Sequence, residues 1–151
     1  MSIKISRGDP RHPDATDLLK RSHALMERLF PPEDNFYLDI DALCGRDIRF
    51  FVAKEHGRIL GVGALALRDG YGEVKAMFTR ESARGRGIAA MLLAEIEKEA
   101  RKEGYDLLRL ETGNSLEAAH RAYRKAGFTL IGAFGDYYDA PSSIFMEKRL
   151  D

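Results

Sequence analysis

Cysteine, tryptophan and proline are scarce in this chain: of 151 residues one is cysteine, Cys44, five are proline and none is tryptophan. A lone cysteine closes no internal disulfide and supplies no half of a CxxC metal knuckle. It is read as a semi-buried thiol in a reducing compartment. No histidine or carboxylate cluster stands near it at metal-ligand spacing, so no metal is expected. An excess of charge is also absent. Lys plus Arg is 24 and Asp plus Glu is 24, a formal net charge of +0. A neutral chain lacks the global field that draws proteins onto nucleic acid or anionic lipid. Any anion it binds must be held by a local site. Long apolar runs are missing too. The stretch Ile59 to Leu67 contains two glycines and is far too short to span a bilayer. The opening residues Met1 to Ser6 carry no apolar run of signal-peptide length. The expectation is a cytoplasmic protein without nucleic-acid or membrane partners.

What is present reads as one domain over residues 1–151. Hydrophobic residues are 44% and charged residues 32%, values that exclude disorder and collagen. Ile3 and Ile5 alternate with polar residues, as in a short strand. Pro13 and Asp14 open a helix with Leu18, Leu25 and Leu29 on one stripe, and Pro31-Pro32 stops it. Glu33 to Tyr37 reads as a loop, and Asp39 to Leu43 as a short helical piece. Ile48 to Lys54, Arg58 to Leu67 and Tyr71 to Thr79 read as strands. The turns His56-Gly57 and Arg68-Asp69-Gly70 join them into an antiparallel meander, because such short connections permit no crossover. A long helix follows Gly87, with Ile88, Leu92, Ile96 and Ala100 four apart. A strand from Asp106 to Glu111, a helix ending before Gly127 and strands at Phe128 to Ile131 and Ser143 to Glu147 complete an α+β order.

The informative stretch joins the meander to the long helix: Arg80-Glu81-Ser82-Ala83-Arg84-Gly85-Arg86-Gly87-Ile88-Ala89-Ala90. The first turn of a helix has free N–H groups and the positive end of the helix dipole. Glycines admit a phosphate close to the backbone, and the two alanines leave the entrance uncrowded. Arg84 and Arg86 add cationic charge. This is an anion cradle. It lacks G-x-x-x-x-G-K-[ST], so it is no P-loop, and Ala90 stands where a dinucleotide fingerprint needs its third glycine.

Arg84-x-x-Gly87-x-Ala89 resembles the [Q/R]-x-x-G-x-[G/A] acetyl-CoA signature of the GNAT acyltransferase superfamily. The segment Ala119 to Phe128, with Tyr123, Gly127 and Phe128, is similar to that family's A-x-x-x-Y-x-x-x-G-F. The order of elements matches as well, so the resemblance covers nearly the whole chain. It implies the GNAT acyl-CoA N-acyltransferase fold, a mostly antiparallel mixed sheet flanked by helices. It implies that acetyl-CoA places its pyrophosphate on the amides of Arg84, Gly85, Arg86, Gly87, Ile88, Ala89 and Ala90. Its pantetheine arm then pairs like an extra strand with Met77, Phe78 and Thr79.

The implied reaction is direct attack of an amine on the thioester. An alkyl amine with a pKa of about 10.4 is mostly protonated at neutral pH, so a base is needed. A backbone N–H near Met77 or Phe78 would serve the oxyanion. Tyr123 resembles the tyrosine that serves the leaving thiolate. Glu73 lies where many relatives carry a base; a solvated pair with Lys75, on the same strand face, is the plainer reading, with Val74 and Ala76 on the other face. His120, three residues before Tyr123, and Glu111 are alternative bases, though His120 also reads as a surface histidine. His23 and His56 read as structural or surface residues. Many relatives carry an asparagine where this chain has Leu116. Asn114 with Glu117 reads as a helix cap and capping-box partner.

The acceptor site is expected in the aromatic, acidic loops, from Phe36, Tyr37 and Tyr137, because acids near aromatics suit a cationic amine. A small-molecule amine or amino acid is the first reading. A protein or peptide acceptor, which wants an open acidic groove, is the second. A non-catalytic CoA-binding module is the third. Relatives often dimerise through their C-terminal strands, and Ile144-Phe145-Met146 serves either such a contact or the core.

Overall fold

In a computed structural model, which describes residues 2–150, the meander is pinned by its turns. His56 and Gly57 both adopt positive φ, 52° and 78°. That is the turn whose twist matches antiparallel strands. It joins β2 (Ile48–Glu55) to β3 (Arg58–Leu67), and β4 (Gly72–Thr79) pairs antiparallel with β3 in turn. The first strand, β1 (Lys4–Arg7), lies antiparallel on the outer side of β2. After the long helix come β5 (Leu107–Gly113), β6 (Thr129–Ile131) and β7 (Ser143–Arg149). The sheet has seven strands in the order β1-β2-β3-β4-β5-β7-β6. Every neighbouring pair is antiparallel except β4 and β5.

Helices cover both faces. On one lies α1 (Pro13–Leu29), whose buried Leu18 and Leu19 meet Phe50, Val52, Val62 and Ala64. On the other lies α3 (Ile88–Lys102), whose Ile88, Leu92 and Ile96 meet Leu60, Leu65, Val74 and Leu108. A four-residue α2 (Ile40–Leu43), capped by Asp39, and α4 (Glu117–Lys125) complete the helices. Cys44 ends α2 and is exposed rather than semi-buried, because α2 is too short to be covered on all sides. Phe145 and Met146 are 3% and 1% exposed, so they serve this chain's own core. No described helix is long and apolar enough to cross a membrane.

Two irregularities of β4 shape the centre of the sheet. Val62 pairs with Phe78 but Ala64 pairs with Lys75, so β4 carries one extra residue there. Ala76 sits in the bulge at φ 60°, a left-handed conformation that few non-glycine residues adopt. The bulge resets the alternation. Val74 packs towards α3 while Ala76 packs towards α1, contrary to the common face expected from strict period two. The second irregularity is the parallel pairing with β5, which holds only at Gly72–Leu108 and Glu73–Arg109. Beyond Glu73 the two strands part, and the β5 side of β4 has no strand partner among the described residues.

Candidate active site

The helix entry is built as an amide cradle. Gly85 and Gly87 adopt φ 83° and 79°, where an L side chain is strained, and nothing lies within 4 Å of the place a Cβ would take. Gly87 is the N-cap of α3, no side chain caps it, and the first turn holds no acidic residue. Its carbonyl accepts from Met91 N–H at 3.1 Å, the first bond of the helix. The amides of Ile88, Ala89 and Ala90 therefore precede the helical ladder and face outward with the positive dipole end. Arg84 stays beside the loop, its guanidinium 5.7 Å from the Phe78 ring centroid and its Nε donating to Thr79 O at 3.4 Å. Arg86 does not stand free. It donates to both carboxylate oxygens of Glu55, at 2.9 and 2.6 Å. That pair holds the Glu55 carboxyl down to about 2.

Where β4 and β5 part there is a cavity of about 120 Å³. Met77, Ala76 and Lys75 line it from β4, Glu111 and Thr112 from β5, Leu116 and Tyr123 from the start and body of α4. Asp34 to Tyr37, with Ser22, Met26 and Phe30 of the α1 side, close it from the other flank. Tyr123 is 7% exposed, and burial holds its phenol well above the ordinary tyrosine range. It is a proton donor at neutral pH. Burial also raises the Glu111 carboxyl, against a hydrogen bond from Ser143 Oγ at 2.7 Å to one of its oxygens. A carboxyl whose charged form is disfavoured in this way is a better base than a free one.

Behind this cavity is a buried ionic cluster. Glu73 is 2% exposed and Lys75 8%, so the Glu–Lys pair is not solvated, since β4 is a central strand covered on both faces. Arg68 Nε donates to Glu73 Oε1 at 3.1 Å, and Tyr137 Oη donates to Glu73 Oε2. Lys75 Nζ donates to Phe36 O and to Tyr137 Oη, both at 2.9 Å, and lies 3.7 Å from Glu73 Oε2. Burial pushes the Lys75 ammonium below the ordinary lysine value. Lys75 thus ties the α1–α2 loop and the β6–β7 loop to β4. A second tie is made by Asp34, which accepts from Tyr138 Oη and from Ser142 Oγ, the latter at 2.8 Å. Phe36 packs edge-on against both Tyr137 and Tyr138. The two loops form a roof.

This arrangement is a splayed sheet, an uncapped helix start beside the open strand edge, and a partly open cavity of mixed polar and apolar lining at the point of splay. The acetyltransferase (GNAT) family model matches residues 15–128. The chain belongs to the GNAT family. It is 42% identical to the "IAA acetyltransferase" of Azospirillum brasilense, over 99% of each chain. Among solved structures, the putative acyl-CoA N-acyltransferase from Klebsiella pneumoniae superposes with a TM-score of 0.83 at 30% identity, covering 99% of this chain and 98% of that one. A GNAT family acetyltransferase from Elizabethkingia anophelis with acetyl-CoA bound superposes with a TM-score of 0.71 at 22% identity over 99% of both chains, a likeness of fold. This GNAT chain is accordingly an N-acetyltransferase.

The expected residues fall into two groups. Tyr123, Met77, Phe36 and Tyr37 line the cavity, whereas Glu73 and Tyr137 sit behind it, reaching it through Lys75. Phe78 and Thr79 continue β4 towards the cradle. His120 is buried, not surface-exposed, and its Nε2 lies 2.7 Å from Gly113 O, so this ring is bound to the end of β5. Half-buried His23 stacks on Tyr37 at 3.9 Å between centroids, and burial lowers its pKa. Asn114 does not cap α4. Its N–H still pairs with Ser142 O and its Nδ2 donates to Pro141 O, so the chain is held to the start of β7 until Leu116, which takes the N-cap place. Sequence reasoning took Lys75 only as a solvated partner of Glu73 and Asp34 only as one acid of the acceptor loop, and missed that both are buried ties. The signal was two charges alternating on a strand that a three-strand meander and a following crossover must bury.

Proposed function

We propose that this GNAT protein moves an acetyl group from acetyl-CoA to the amine of a small molecule. The observation that carries the reading is the roofed cavity at the splay of β4 and β5, reached from the amide cradle along an open strand edge. The residues present fit the donor: free amides at Ile88 to Ala90, two glycines leaving open space, and an unpaired strand edge over Met77, Phe78 and Thr79. When bound, the donor supplies the activated thioester. Arg84 and the loop amides hold its phosphates. The edge of β4 aligns its arm by backbone hydrogen bonds, as in strand addition. The bulge at Ala76 turns an amide of β4 out of the ladder, where it stabilises the oxyanion. Tyr123, kept protonated, hydrogen-bonds the departing thiolate. Glu111 Oε1 receives the proton of the amine. Glu73 holds Tyr137 and Lys75, and any direct part in proton transfer runs through Tyr137.

The size and the roof favour a small acceptor over a peptide. Sites for drug-sized ligands run from roughly 300 to 1,000 Å³, and this one is about 120 Å³. A peptide wants an open groove, and the Tyr138–Asp34 and Tyr137–Lys75–Phe36 ties narrow that path. The buried acid and phenol beside the cavity argue against a non-catalytic binding module, since such groups are costly to bury without use. The test is release of free thiol from acetyl-CoA in the presence of a panel of primary amines, with the N-acetylated product identified by mass spectrometry. Turnover with small amines and none with peptides is expected. Tight CoA binding with no thiol release for any amine would leave only the binding module.

A further inference from the structure

The cavity has an apolar side, lined by Met26, Phe30, Met77, Leu116 and Ala119. Phe30 is the bulkiest of these and is 7% exposed. It is the first residue beyond α1. Its N–H closes the last turn on Met26 O at 3.0 Å, and its backbone is already extended, at φ −132° and ψ 149°. Its ring lies on the backbone of Gly113. A Cβ at Gly113 would stand 2.1, 2.5 and 3.0 Å from three carbons of that ring. Carbon atoms in contact sit roughly 3.5–4.0 Å apart, so only glycine lets the ring rest on β5 there. Glu111 and Gly113 are two apart in β5, and their pairing with Phe145 and Ser143 is in regular register, so they share one face of the strand. Two strand residues span about 7 Å. The carboxyl read as the base and the ring seated on Gly113 are therefore neighbours along one strand face, and both line the cavity.

We propose that Phe30, seated on Gly113, sets the upper size of the acceptor, and that the acceptor is a primary amine carried on a small apolar group. The proposal rests on the acetyl-transfer reading above. An amine at Glu111 has its substituent between that carboxyl and the Phe30 ring, against Met26, Leu116 and Ala119. With the ring in place the cavity is about 120 Å³. Close-packed walls yield little, so a longer or broader substituent meets the ring. The ring is held from behind by the strand and from its own backbone by the end of α1, which makes it a fixed stop rather than a mobile one.

The test is kcat/KM for a graded set of primary amines, ethylamine, isobutylamine, benzylamine and phenethylamine, by thiol release from acetyl-CoA. Wild-type protein is expected to favour the small members. Phe30→Ala leaves an apolar space of the shape of a ring, which an aromatic amine fills. It should raise the ratio of phenethylamine to ethylamine by about ten-fold or more, carried by KM, within the range for a misfitted apolar group. Gly113→Ala should lower that ratio, because the ring must leave the strand and moves into the cavity. Added to Phe30→Ala, the same alanine should move the ratio and the melting temperature little, since the atoms nearest its methyl are gone. If Phe30→Ala does not fold, Phe30→Leu keeps part of the packing and should shift the ratio in the same direction. An unchanged ratio with both amines lowered equally would reduce Phe30 to packing and overturn the proposal. A wild type that uses phenethylamine as well as ethylamine would overturn it too, and either result leaves the acetyl-transfer reading standing. No thiol release by the wild type with any amine would overturn both.

Discussion

Arg86 and Glu55 make a two-point ion pair, Nη1–Oε1 at 2.9 Å and Nη2–Oε2 at 2.6 Å, at the mouth of the amide cradle. The pair joins the loop before α3 to the end of β2. It spends on a carboxylate the charge that the sequence analysis assigned to a phosphate. Glu55→Gln releases that charge. We expect CoA to bind about two- to five-fold tighter in the variant at low salt, with the gain fading as salt rises, since exposed charges are screened over roughly 10 Å at 0.1 M. Calorimetric titration at two salt concentrations checks it, and unchanged affinity at low salt would show that Arg86 does not face the phosphates.

Gly87 separates backbone strain from ligand contact. At φ 79° an alanine costs about 1 kcal/mol, the penalty of a left-handed non-glycine residue. The space around its Cβ is empty, so the fold is retained. A methyl at the cradle holds off a phosphate. Gly87→Ala should lower thermal stability slightly and weaken CoA binding by ten-fold or more, about 1.4 kcal/mol or above. A loss of stability with full CoA affinity would place the phosphates elsewhere.

Tyr123→Phe removes one hydroxyl from a ring that stays packed on Phe128 at 5.9 Å between centroids. If the phenol serves the thiolate, kcat falls by about 10²-fold or more while the KM for acetyl-CoA barely moves, the signature of an interaction made in the transition state. Steady-state kinetics with a single acceptor suffices. Wild-type turnover in the variant would reduce Tyr123 to packing.

Glu111 and Glu73 are separated by their pH profiles. Burial raises the Glu111 carboxyl, and a base works deprotonated, so activity should fall as pH drops through that raised value. Glu111→Gln should abolish this acidic limb along with most of the turnover. Glu73→Gln should keep the limb and lose activity through displacement of Tyr137 and Lys75. The stability sign runs the opposite way. A carboxyl with a raised folded pKa binds its proton more tightly in the native state. Its favourable contribution is complete below the unfolded value and is lost as pH rises through the folded one. Glu111→Gln should therefore be relatively more stable than wild type above that range, measured as urea midpoints across pH. An unchanged acidic limb in Glu111→Gln would return the base role to Glu73.

Much of the architecture could be read along the chain because its causes are local. His56-Gly57 forces a tight hairpin, Pro31-Pro32 ends a helix, and the four-residue spacing of Ile88, Leu92, Ile96 and Ala100 gives α3 one buried stripe. The cradle was legible for the same reason: glycine conformation and helix-end amides are properties of neighbouring residues. The α4 start was misread because Asn114 obeys a distant partner, Ser142, before its own helix. His120 was misjudged because its burial depends on β5, reached through Gly113.

The sequence by itself determined the order of elements, the glycine-rich helix entry and the family-like tyrosine of α4, since each rests on contacts among residues close in the chain. Only the tertiary structure decided the reacting centre. The bulge at Ala76 moved one face of β4, the early parting from β5 opened the cavity, and residues about 60 positions apart, Lys75 and Tyr137, came within 2.9 Å. Such pairings are set by strand register and by which charges find partners once buried. Those are long-range balances of desolvation against hydrogen bonding, and no spacing along the chain encodes them.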